Sequence, residues 1–74
     1  MLQATIEVFK TNVRGARDAI MLAEALHERL PGSQVTFDLD DCDKVLRIKH
    51  SAVIPSEITA LLHLHGFTCE LLED

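Results

Sequence analysis

Seventy-four residues, 47% apolar and 26% charged, are the length and composition of one small globular domain, expected to span 1–74, rather than of two domains. The net charge of −5 repels nucleic-acid phosphates at long range, so no nucleic-acid partner is expected, and no apolar run approaches the ~20 residues that a membrane span needs. The opening MLQATIEVFK lacks a charged start followed by a long apolar stretch, so no signal peptide is expected; two cysteines without one point to reduced thiols in a cytoplasm.

Residues 3–10 alternate, with Ala4, Ile6 and Val8 on one side and Thr5 and Glu7 on the other, the pattern of a half-buried strand. That parity turns Phe9 outward. Thr11 to Gly15 breaks the alternation with turn-forming residues. From Ala16 to Leu30 good helix formers dominate, and Ala16, Ala19, Ile20, Ala23, Leu26 and Leu30 recur at three- and four-residue steps, which predicts one buried face. Pro31-Gly32 stops this helix. Val35, Phe37 and Leu39 alternate with Gln34, Thr36, Asp38 and Asp40 in a second strand. The polar turn 40–43 leads to a third strand, Lys44 to His50, with Leu46 and Ile48 inward and Val45, Arg47 and Lys49 outward. The short turn makes these two strands a hairpin. Pro55 opens a second helix whose apolar stripe is Ile58, Leu61 and Leu62, and Gly66 closes it. Phe67 to Leu72 is a last strand, with Phe67, Cys69 and Leu71 on one parity.

Strand, helix, strand, strand, helix, strand predicts an α+β, ferredoxin-like βαββαβ sandwich: a four-stranded antiparallel sheet in the order 4-1-3-2, with both helices on one face and the other face open. The element order, the length, Leu30-Pro31-Gly32 after the first helix and Gly66-Phe67 after the second together resemble the heavy-metal-associated (metallochaperone-type) domain family, over essentially the whole chain. That family's metal motif is Met-x-Cys-x-x-Cys before the first helix. Here the stretch reads Val13-Arg14-Gly15-Ala16-Arg17-Asp18-Ala19. Either Gly15 and Asp18 or Ala16 and Ala19 take the cysteine positions. The resemblance therefore implies the fold without the metal site, a degenerate member lacking Cys-x-x-Cys.

A soft metal needs converging thiolates or imidazoles. Cys42, in the hairpin tip, and His65, at the end of the second helix, are the pair to consider, but this sheet order puts them roughly 10–14 Å apart. His63 and His65, two residues apart, point to different sides of a helix. Asp38, Asp40, Asp41 and Asp43 lack the glycine and terminal Glu of a calcium loop, which leaves a solvated hairpin. There is no nucleophile–base spacing and no phosphate-cradling glycine loop, so no catalysis and no cofactor are expected. RNA-binding domains of this fold stack bases on aromatics of the middle strands, and here those strands offer only Phe37, expected to face inward. The expected role is a non-catalytic interaction module whose surface is the open sheet face around Phe9, Val45, Arg47 and Lys49, with a homodimer or another protein as the partner. The alternative is a metal or small-ligand sensor, either a relic metallochaperone or an ACT-like regulatory domain, since ACT domains share this element order.

Copper(I) takes two thiolates in a near-linear arrangement, and neither register places a thiolate at the helix start. Competition against a copper(I) chelator under reducing conditions is expected to show no one-to-one complex. Stoichiometric binding abolished by Cys42→Ser or Cys69→Ser would overturn this reading.

Overall fold

A computed structural model describes residues 4–72; Gln3, the first residue of the predicted opening strand, lies outside them. The elements are β1 (Thr5–Thr11), α1 (Ala16–Arg29), β2 (Gln34–Asp38), β3 (Val45–His50), α2 (Pro55–Leu64) and β4 (Cys69–Leu71). They form a four-stranded antiparallel sheet in the order β2-β3-β1-β4, the predicted order read from the other edge, and with the two helices this is a ferredoxin-like α+β architecture.

The turns follow from local chemistry. Leu30-Pro31-Gly32-Ser33 is a type II turn. The Ser33 N–H donates to the Leu30 carbonyl at 3.0 Å, Pro31 occupies the second position, and Gly32 supplies φ +82° at the third. The end of α2 is a Schellman motif. Gly66 adopts φ +91° while its N–H bonds the His63 carbonyl at 3.0 Å and the Phe67 N–H bonds the Leu62 carbonyl at 2.9 Å. Phe67 thereby folds back against the core. In the β2–β3 hairpin, Asp41 accepts the Asp43 N–H through Oδ1 at 2.8 Å, and Lys44 turns through φ +46° with its Nζ donating to the Leu39 carbonyl at 2.8 Å.

Register decides which side chains are inside. In β1–β3 Phe9 lies opposite Leu46 and Glu7 opposite Ile48; in β1–β4 Phe9 lies opposite Leu71; in β2–β3 Phe37 lies opposite Leu46. Paired residues share a face, so Phe37, Leu46, Phe9 and Leu71 form a row across all four strands under the helices. Leu22, Leu26, Ile58 and Leu62 cover it from above.

Three expectations are corrected here. Phe9 is fully buried rather than outward, while Ile6, expected inside, is 59% exposed, so the parity of β1 is the reverse of that predicted. Ile6 and Val8 outnumber Phe9 in the strand, but the pairing of Phe9 with Leu46 and Leu71 overrides that count. Val45 keeps its outward parity yet is only 6% exposed. It sits opposite Asp38 at the mouth of the hairpin, in the corner where Lys10 meets Asp43 at 3.7 Å. On α1, Leu22 is fully buried and Ile20 is 60% exposed. The inward row is Leu22, Leu26 and Leu30, at four-residue steps and flanked by Ala19; Ile20, two residues from Leu22, lies about 200° around the helix.

The reversed parity is tested by stability. Phe9→Ala is expected to lower the unfolding free energy by about 3–5 kcal/mol, and Ile6→Ala to change it by less than about 0.5 kcal/mol. Denaturant melts giving the opposite ranking would restore the original parity.

Candidate interaction surface

The side of the sheet away from the helices carries Ile6, Val8 and Lys10 from β1, Val45, Arg47 and Lys49 from β3, and Gln34, Thr36 and Asp38 from β2, with Glu70 of β4 opposite Lys10. Arg47 and Lys49 are exposed, as expected. Cross-strand, Ile6 lies opposite Lys49 and Val8 opposite Arg47. The apolar component of this face is therefore Ile6 and Val8 in the middle, rather than Phe9 and Val45 near one end. The charged pair was legible in the alternation of β3, whereas the apolar pair depended on pairing partners that no strand shows by itself.

At one end of the sheet the polar groups are used to close the fold. The Thr11 hydroxyl donates to the Lys44 carbonyl at 2.6 Å and accepts the Val13 N–H at 3.2 Å. The Thr11 N–H reaches the Asp43 carbonyl at 3.0 Å, and the Asn12 side-chain oxygen accepts the Thr68 N–H at 2.8 Å. These bonds stitch the loop before α1 to the hairpin and to the approach to β4. Gly15 caps α1 in extended conformation (φ −97°, ψ 143°) with no side-chain cap.

Among the described residues, the one set of three or more His, Cys, Asp or Glu side chains whose donor atoms converge within 4.8 Å is Asp41, Cys42 and Asp43. His65 is not in it. Both carboxylates are already engaged, Asp41 by the Asp43 N–H and Asp43 by Lys10. His65 is exposed and caps α2 through its backbone, its N–H shared by the Leu61 and Leu62 carbonyls. At the far end of the sheet His50 is held through both ring nitrogens. Its Nδ1 accepts the Ala52 N–H at 3.0 Å, so the proton is on Nε2, which donates to the Pro31 carbonyl at 3.1 Å.

The two thiols differ sharply. Cys42 is exposed and Cys69 buried. Removal from solvent penalises the Cys69 thiolate and pushes its pKa from 9.0 up to about 12. Among the described residues the ion pairs are Lys10–Asp43 and Arg29–Glu57, the latter at 2.6 Å between the two helices; Arg47 and Lys49 belong to neither. No helix among these residues is long and apolar enough to cross a membrane. No protein-family model, curated protein or solved structure matches the chain.

The buried thiol has a pH signature. Folding keeps Cys69 protonated, while the unfolded thiol ionises above its ordinary value, so its contribution to stability is complete below pH 9 and is lost as pH rises from 9 towards 12. Alkylation of the native protein near pH 8, followed by mass spectrometry, is expected to label Cys42 first, with Cys69 reacting only on unfolding. Equal rates at both thiols would contradict the burial of β4.

Proposed function

We propose that this domain is a non-catalytic interaction module that binds a protein partner through its open sheet face, on a metallochaperone-like scaffold without the metal site. The observation that carries the reading is the cluster of exposed Ile6, Arg47 and Lys49 with half-buried Val8 on the two central strands. Ile6 and Lys49 are direct cross-strand neighbours, as are Val8 and Arg47, so apolar and charged side chains alternate over the middle of the sheet. A small apolar centre with polar surroundings has the composition of a modest protein interface.

Several groups that could do chemistry are committed to the fold instead. The Cys69 thiol is buried and held protonated, the His50 ring is occupied at both nitrogens, and the polar side chains of Thr11 and Asn12 are spent on internal bonds. A photoreactive residue placed at Val8 and, separately, at Ile20 on the helix side distinguishes the two surfaces in an extract of the source cells. Discrete protein adducts are expected from position 8 and none from position 20. Adducts from position 20 alone would move the interface to the helices.

A further inference from the structure

We infer that the partner presents an extended acidic segment, with carboxylates at alternate positions paired to Arg47 and Lys49 and an apolar side chain set against Ile6 and Val8. This rests on the docking reading above and adds the chemistry of what docks. Arg47 and Lys49 stand two residues apart on β3, on one face and roughly 7 Å from each other along the strand. The residues directly opposite them are Thr36 and Gln34 on β2 and Val8 and Ile6 on β1. None is acidic. Among the described residues the acids of this face lie towards the hairpin end, with Asp38 opposite Val45 and Glu70 opposite Lys10. Lys10 is already matched by Asp43. A chain of net charge −5 therefore keeps two neighbouring cations without a cross-strand counter-ion in the middle of its exposed sheet. Side chains at alternate positions of an extended peptide repeat at the same roughly 7 Å spacing, so two carboxylates match both cations at once.

The other occupants fit less well. Nucleic acid on an open sheet needs aromatic side chains to stack on, but Phe9 is buried and Phe37 and Phe67 pack against the core, and the chain has no Trp or Tyr. A second copy docked face to face would bring one pair of cations towards the other pair.

The test is an amide chemical-shift titration of the labelled protein with three probes: an eight-residue peptide with Glu at two alternate positions, Val at the flanking positions of the same parity and Ser between, so that Glu and Val share one face; the same peptide with Gln for Glu; and a single-stranded oligonucleotide of equal charge. The Glu peptide is expected to shift Ile6, Val8, Arg47 and Lys49 selectively and to weaken as salt is raised. The Gln peptide is expected to bind more weakly, and Arg47→Gln or Lys49→Gln to cost about twofold to fivefold in affinity each, the range of single exposed ion pairs. Ile6→Thr is expected to weaken binding with the melting temperature unchanged, because Ile6 is largely exposed already. If the oligonucleotide bound this face more tightly than the peptide, or if the free protein self-associated through it in sedimentation, the acidic-peptide assignment would fall while the docking face stood. Shifts confined to the neighbourhood of Arg14 and Arg17, or no shifts from any probe at millimolar concentration, would overturn both.

Discussion

The row of Phe37, Leu46, Phe9 and Leu71 is the constraint on which the rest depends. It crosses all four strands, and each member shares a face with its neighbour by direct pairing. Phe9 lies on the central strand that joins the β2–β3 hairpin to β4, and it is among the largest fully buried side chains. Because side chains alternate with a period of two, the row fixes every other position in the sheet. A slip of one residue in β1 would carry Phe9 into water and bring Lys10 under the helices. With the row in place, Ile6, Val8, Arg47 and Lys49 have only the outer face available to them.

The order of elements was legible because each boundary carries its own chemistry. Pro31-Gly32 and Gly66 have the backbone freedom their turns require, and Pro55 opens α2. The hairpin was legible from the closeness of two alternating segments, and the inward parity of β3 from Leu46 and Ile48, whose strand neighbours are charged. β1 was ambiguous because both of its parities contain apolar residues. Ile6 and Val8 favour one, Phe9 the other. Nothing within the strand resolves the tie, which is settled by Leu46 and Leu71, long-range partners of the same residue. Thr11, read from the sequence as the start of the turn, is instead the last residue of β1 and is buried, with its hydroxyl bonded to the Lys44 carbonyl and the Val13 N–H. On α1, three- and four-residue spacing allowed more than one stripe, and Leu22 rather than Ile20 completes the inward one because it stands a full turn before Leu26.

The candidate surface and the closed ends of the sheet are complementary outcomes of the same fold. Near the hairpin, Thr11, Asn12, Asp41 and Asp43 spend their hydrogen bonds on joining loops to strands. At the other end His50 joins the turn after α1 to the turn before α2. Between these closures no element among the described residues covers the outer face of the central strands, and the cross-strand neighbours of Arg47 and Lys49 are neutral or apolar. The loop before α1 contributes a glycine cap and a set of structural bonds.

The position of β4 has a consequence during synthesis. Phe9 is made early, but Leu71, its partner on one side, is made only near the end of the sequence. At ~5–20 residues per second, roughly 3–12 s pass between the two. Over that interval α1, the β2–β3 hairpin and then α2 are made and can collapse around β1, but the sheet is incomplete. Until the last strand arrives, the aromatic ring at the centre of the eventual core lacks its cross-strand partner on that side.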